Sequence, residues 1–186
     1  MNDKLIWKEE SRKTILTCPI FTVGERYCRS PHGKIKTFNV LDAPDWVMVI
    51  PALDTEHGIK FVMVKQWRHG AGEISMEFPG GVSEKDEKPE ITAARELREE
   101  TGYIAGKIEK LGDFSPNPAI MSNRIHFFLA LELQEPVKQE LDPDEFVEVE
   151  IVSWEKVLRC LGTPPYTHAM TGTAMSLYLQ KNPKLI

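Results

Sequence analysis

No apolar run in this chain approaches the roughly 18 residues that a membrane-crossing helix needs, and the opening stretch MNDKLIWKEE lacks the apolar centre of a secretory signal. A membrane partner is therefore not expected. Cysteine is scarce. Cys18, Cys28 and Cys160 are odd in number and form no CxxC pair, which argues against a disulfide framework and for free thiols in a reducing cytoplasm. Nothing in the sequence supports a catalytic thiol. Basic residues are outnumbered: 23 Lys and Arg stand against 28 Asp and Glu, and the net charge of −5 offers no electrostatic footprint for nucleic acid. Internal repeats and low-complexity tracts are also missing, which leaves an ordinary globular reading.

What is present fits that reading. The 186 residues, 41% hydrophobic and 27% charged, suffice for one domain with a real core, or one domain and a small appendage. Residues 4–16, 20–29 and 34–41 read as strands rich in β-branched and aromatic residues, with a turn at Ser30-Pro31-His32-Gly33. Such an antiparallel β ribbon cannot bury a core alone, so it must lie on the main domain or on another subunit. Residues 46–53 and 59–67 are near-continuous apolar strands joined as a hairpin, the pattern of strands covered on both faces. Further strands are expected at 73–78, 107–114, 124–133 and 146–152. Ser153 caps a short helix ending near Leu161-Gly162, and residues 166–180 close as a helix. Between them, Ser115 to Ala119 forms a rigid loop and residues 134–145 an acidic one. The boundary falls between residues 1–44, the strand region, and 45–186, an α/β domain with helices for both faces of its sheet.

The stretch Gly81 to Tyr103 organises the rest. It follows the tight turn Pro79-Gly80-Gly81; Pro89 suits a first helical turn and Gly102 a C-terminal cap. At 100° per residue, Ile91, Ala94, Leu97 and Thr101 fall on one side, expected to pack on the sheet. Glu96, Glu99 and Glu100, with Arg95 and Thr92, fall on roughly the other, away from the core. Carboxylates crowded on one helix face repel unless a cation compensates. Glu96, Glu99 and Glu100 stand at i, i+3 and i+4, one cluster able to hold hard divalent ions. No His or Cys lies among them, which argues against zinc, and Gly80-Gly81 lacks the Lys-Ser/Thr of a P-loop.

Gly81, Glu87 and the run Arg95-Glu96-Leu97-Arg98-Glu99-Glu100-Thr101-Gly102 are similar, in identity and spacing, to the signature of the Nudix hydrolases. A chance match is well below about one in a million at average residue usage. One departure is Tyr103, where the family carries an aliphatic residue, a packing position. The resemblance implies a Nudix-type α/β/α sandwich with a mixed sheet, and metal-dependent hydrolysis of a nucleoside diphosphate linked to another group. It makes Glu96 and Glu100 the principal ligands of Mg²⁺ or Mn²⁺, with Glu99 and the Gly80 carbonyl beside them. Arg95 would orient a glutamate, and Glu87 would support it through water or through Arg95. The general base is either Glu99 or a carboxylate of the acidic loop, which offers Glu140, Asp142, Asp144 and Glu145. Glu145 is favoured because it directly precedes a strand.

Other residues are similar to the ADP-ribose pyrophosphatase group within that family. Pro118 falls where that group carries a proline after the signature, with Pro116 as a second candidate. Gln66-Trp67-Arg68 resembles its Gln-Tyr-Arg, which would turn Arg68 toward a phosphate oxygen. Its common Pro-Ala-Gly is Pro-Gly-Gly here. The N-terminal strands resemble the segment with which that group builds a homodimer and part of its adenosine pocket, and Phe21 would stack on adenine there. ADP-ribose is then the leading substrate; a nucleotide sugar, a dinucleotide such as NADH, a nucleoside triphosphate, or mere nucleotide sensing are the rivals. Trp46, Trp67, Trp154 and His126 read as packing residues, and His168 as a pocket wall or cap.

Overall fold

A computed structural model describes residues 3–185 and divides the chain into two compact units. The first unit contains the residues up to Asp45 together with Ser115–Arg124. Strands β1 (Lys8–Thr17), β2 (Thr22–Arg29) and β3 (Ile35–Asp42) pair antiparallel in that order. The turn expected at 30–33 is present: Ser30 N–H donates to Lys34 O at 2.8 Å, and Gly33 takes the positive φ of 85° that glycine tolerates best. Every residue of β1 is exposed. The 115–124 segment joins this unit by pairing with β3, Leu41 N–H donating to Ile120 O at 2.7 Å and Ser122 N–H to Leu41 O at 3.1 Å.

In the second unit lie β4 (Trp46–Thr55), β5 (Gly58–Arg68), β6 (Glu73–Glu77), β7 (Ala105–Phe114), β8 (Ile125–Leu133) and β9 (Val147–Ser153). Their order is β6-β5-β4-β8-β7, with β9 on β5. β4 and β8 run parallel while the other pairs are antiparallel, so the sheet is mixed, as expected. Helices α1 (Pro89–Thr101), α2 (Trp154–Cys160) and α3 (Ala169–Lys181) cover its two faces.

The two-residue period of a strand builds both cores from the same central strands. Met48, Ile50 and Ala52 of β4, with Phe127 and Leu129 of β8, pack with Ala174, Met175 and Tyr178 of α3. Their neighbours Val47, Val49, Phe128 and Ala130 point the other way, to Ala93 and Leu97 of α1. Phe61 sits edge-on to Phe78 and Tyr178, at centroid distances of 5.3 and 4.9 Å. Each such fully buried side chain contributes roughly 1.5–3 kcal/mol. Trp46 and Trp154 pack against this core as expected, whereas Trp67 is half exposed.

Both ends of α1 follow the sequence. Pro89 opens it, and Gly102 closes it at φ 76°, donating its N–H to Arg98 O. Its packing face does not. Leu97 and Thr101 are buried as expected, but Ile91 is 58% exposed and Ala94 is exposed too. Thr92, Ala93 and Glu100 are buried in their place. The contact stripe runs through 93, 97, 100 and 101, rolled toward the carboxylates, so the acidic cluster does not face away from the core. Burial of a Glu is tolerated because a backbone N–H receives it. The Ser153 cap is also observed, its hydroxyl accepting the Lys156 N–H at 3.3 Å. Among the described residues no helix is long and apolar enough to cross a membrane.

Candidate active site

The turn before α1 is fastened to β4. Val47 and Val49 donate their N–H groups to Gly81 O and Pro79 O, each at 2.9 Å, which leaves the Gly80 carbonyl outside that ladder. A Cβ on Gly80 would stand 2.2 Å from Val47 O, so the close approach demands glycine as the chain now runs. A Cβ on Gly81 would stand 2.4 Å from a Glu96 carboxylate oxygen. The turn and the helix carboxylates are thus in direct contact.

Glu100 is only 4% exposed, and the Gly80 N–H donates to its Oε2 at 2.9 Å. Burial pushes its carboxyl up to about 8, with the Glu96 and Glu145 charges adding to the rise, while the Gly80 N–H and Arg68 oppose it. Glu96 is pushed up to about 6, again chiefly by burial, with Glu99 and Glu145 adding and Arg95 opposing. Two buried carboxylates that resist ionising beside a turn carbonyl form a hard oxygen donor set short of positive charge, and such a set fits a divalent cation. Among the described residues, no three acidic, His or Cys side chains stand in ready metal-holding geometry. Arg95 accounts for part of this: its Nη1 donates to Glu96 Oε1 and Glu99 Oε2, both at 2.9 Å, and so draws two of the carboxylates to itself.

The same guanidinium reaches back to Glu87, with Nε to Oε1 at 3.1 Å and Nη2 to Oε2 at 3.2 Å. Those bonds, the Glu84 N–H and the Thr92 hydroxyl hold the Glu87 carboxyl down at about 2. Glu87 is therefore joined to the cluster through Arg95. Arg95 is a fork that fixes three carboxylates at once.

Arg68 sits at the end of β5 and is itself clamped. Its Nε and Nη2 donate to Glu77 Oε1 and Oε2 at 2.8 and 2.7 Å, a bidentate pair that leaves Nη1 outside it. Glu77 is fully buried, and His168 Nδ1 lies 3.7 Å from its Oε2. Burial lowers the His168 pKa, partly offset by the charge of Glu77. His168 precedes the first turn of α3, yet its side chain makes no capping bond. The Glu77 bond raises the Arg68 pKa, and the charges of Glu100 and Glu145 add to the rise.

The acidic loop is strapped to the end of α1. Val137 N–H donates to Gly102 O at 2.9 Å, Glu140 N–H to Glu99 O at 3.0 Å, and Gln139 Nε2 to Glu100 O at 2.5 Å. Arg98 and Glu140 add an ion pair at 2.6 Å. These donors satisfy carbonyls that a helix end otherwise leaves orphaned. Glu145 is exposed, and a small turn holds it, with its N–H on Asp142 O at 3.0 Å and its Oε2 accepting from Asp142 N–H at 3.2 Å.

Of the residues expected from sequence, Gly80, Glu87, Arg95, Glu96, Glu99 and Glu100 form this constellation, and Arg68, on Glu77, and Glu145, in its own turn, belong to the same second unit. Phe21 and Pro118 belong to the first unit: Phe21 is half-buried between β1 and β2, its carbonyl accepting the Cys18 N–H, and Pro118 is exposed in a turn. Sequence reasoning missed Glu77, Thr92 and Gln139. An acid inside the apolar run Ile74 to Phe78 was a usable signal for Glu77, since a buried carboxylate requires a partner. Thr92 was seen but assigned to solvent, and nothing in the sequence marks Gln139.

The family model of the NUDIX domain matches residues 44–170. The chain is 41% identical over 151 residues to an ADP-ribose pyrophosphatase of Bacillus subtilis (strain 168), covering 81% of this chain and 80% of that protein. It is 34% identical over 136 residues to an ADP-ribose pyrophosphatase of Mycobacterium tuberculosis, covering 73% and 64%. A methanol dehydrogenase activator of Bacillus methanolicus is 35% identical over 130 residues, 69% of each chain. Among solved structures, the crystal structure of an ADP compounds hydrolase superposes with a TM-score of 0.82 at 21% identity, covering 96% of this chain and 97% of that one, a likeness of fold.

Proposed function

This chain belongs to the NUDIX family and is a Nudix hydrolase, and from that premise we propose that it cleaves the diphosphate link of ADP-ribose to AMP and ribose 5-phosphate. The observation that carries the reading is the intact constellation of Glu87, Arg95, Glu96, Glu99 and Glu100 packed against the Gly80 turn, in a chain 41% identical to an ADP-ribose pyrophosphatase.

Glu96, Glu100 and the Gly80 carbonyl, with Glu99 at their side, would hold Mg²⁺ or Mn²⁺. When bound, such an ion neutralises diphosphate charge and activates water. The protein's own groups do the rest. Arg95 sets the Glu96 and Glu99 carboxylates and is in turn fixed by Glu87. Arg68, held by Glu77, presents its remaining guanidinium edge to a phosphate oxygen. Glu145 is the general base in this reading: its exposed carboxylate is open to water, and it rides on the loop whose incoming limb is bonded to the end of α1. Glu99 is the alternative base, but its carboxylate is engaged by Arg95.

Residues 1–44, the larger part of the first unit, would serve as a dimer and pocket extension, with Phe21 as its adenine-stacking residue; Pro118 belongs to the 115–124 segment of the same unit. Support for a homodimer comes from β1, exposed along its whole length, and from Ile15, Leu16, Ile20 and Ile35, each more than half exposed. Three free thiols fit a cytoplasmic protein.

Incubation with Mg²⁺ or Mn²⁺ and a panel of ADP-ribose, nucleotide sugars, NADH and nucleoside triphosphates, with product identification, tests the reading. Preferred turnover of ADP-ribose to AMP is expected. Preference for another member would reassign the substrate, and no turnover of any would leave a nucleotide sensor.

A further inference from the structure

Of the residues 134–145, only Gln139 and Leu141 are drawn in from the surface. The Gln139 side-chain amide does something no backbone group of the loop does. Its Nε2 donates to Glu100 O at 2.5 Å and lies 3.5 Å from Val147 O. Glu100 closes the carboxylate cluster on α1. Val147 opens β9, where it pairs with Gln66, two residues before Arg68. One amide therefore ties together the end of the helix, the start of the strand and the loop between them. The enclosed span 139–147 is a short excursion with both ends fastened, in the manner of an Ω-loop, and Glu145 rides on it.

We propose that Gln139 is a positioning residue for the hydrolysis: by bridging the Glu100 and Val147 carbonyls it fixes, relative to the end of α1, the excursion that carries Glu145. The proposal rests on the reading of Glu145 as general base. The neighbouring bonds hold other parts of the loop. Glu140 N–H and Val137 N–H hold the incoming limb of the loop to the helix, and β9 pairing begins only at Val147. Without the amide, the Asp142–Glu145 turn still closes and Glu140 still binds the helix, but no other side-chain hydrogen bond among the described residues then links the incoming limb to Val147 at the start of β9. Displacement of a reacting group by about 1 Å costs roughly a hundredfold in rate.

The test is a double-mutant cycle on ADP-ribose turnover with Mg²⁺, using Gln139→Met, which keeps the side-chain volume but has no donor, Glu145→Gln, and the pair together. Gln139→Met is expected to lower kcat by roughly ten- to a hundredfold with KM within about twofold. Added to Glu145→Gln it should lower kcat no further, because the group it positions is already disabled. Losses that multiply in full would overturn the proposal, since Gln139 would then act elsewhere, and so would an unchanged kcat in Gln139→Met. If Glu145→Gln alone keeps full kcat, the base assignment itself fails, an outcome visible in that single variant. Should Gln139→Met fold poorly, Gln139→Lys restores a donor at the helix C-terminus. Retention of kcat within about threefold there supports the positioning role, and a loss as large as roughly tenfold refutes it.

Discussion

The helix α1 and the loop 134–145 are both rich in carboxylates, and they hold them in opposite ways. On α1, Glu100 is buried under the Gly80 turn, and Glu96, with Glu87 just before the helix, is nearly so, their side chains only 12% and 13% exposed. Along the loop, Glu140, Asp142, Asp144 and Glu145 are all exposed. Burial makes charge expensive, so a carboxylate here must either be paired or stay reluctant to ionise, and both cases occur around Arg95. Glu87, paired, is held at about 2; Glu100, buried with only a backbone donor, rises to about 8. The contrast teaches that acidic composition says little by itself. Chemistry depends on which carboxylates have been withdrawn from water and what faces them.

The sharpest way to break that contrast is Glu100→Gln. Catalysis should fall by about a thousandfold, because a principal ligand is lost. In metal-free protein the same change should remove a pH dependence of stability. The folded-state value lies above the ordinary 4.5, so the unfolded chain releases its proton first as pH rises. Stability contributed by the protonated carboxyl is complete below about 4.5 and is lost as pH climbs toward 8. Thermal melting in chelator should therefore slope downward toward pH 8 in the wild type, and the variant should lose most of the slope above about pH 6, the part below it belonging to Glu96. A parallel slope in both would place the unpaired charge elsewhere. Next in size is Arg95→Lys, which keeps the charge but loses the fork. Roughly ten- to a hundredfold of kcat should go, and the Glu87 carboxyl should titrate closer to 4.5, measurable by carboxylate NMR.

Much of this was legible in the sequence, and the misses share one cause. Spacing from Gly81 to Gly102 revealed the helix, its two caps and the acidic cluster, because both chemistry and capping constrain residue type at fixed intervals. The apolar runs of β4, β5 and β8 likewise reported a sheet covered on both faces. Hydropathy misassigned the packed face of α1, however. Ile91 and Ala94 look like anchors and Glu100 looks like a solvent residue, yet the Gly80 N–H draws Glu100 inward and the helix rolls with it. The attachment of 115–124 to β3 was equally invisible, since it joins backbone groups far apart in the chain, whatever their side chains. Gln139 is the same case in a side chain: an ordinary polar residue made important by the two carbonyls it reaches.

A smaller effect is expected where turn and helix touch. In Gly81→Ala the new Cβ would stand 2.4 Å from the Glu96 carboxylate, the mobile end of a side chain, so the carboxylate shifts and the backbone need not. The fold should be kept, with Tm changed by no more than a few degrees, while kcat drops about tenfold. A large fall in Tm would mean that the turn, not Glu96, gives way.

The smallest expected effect tests the loop's side of the comparison. Asp144 is exposed and stands next to Glu145 in the chain. If the loop works by its summed negative charge, Asp144→Asn and Glu145→Gln remove the same charge and should cost alike. If it works by placing one carboxylate, only the second should matter. Exposed charges are weakened by solvent and salt, so a general field from this loop is worth little beyond a Debye length of about 8 Å. Asp144→Asn should therefore keep kcat within about twofold at low and at physiological salt. An equal loss in the two variants, shrinking together as salt is raised, would turn the loop from a holder of one base into a diffuse electrostatic surface.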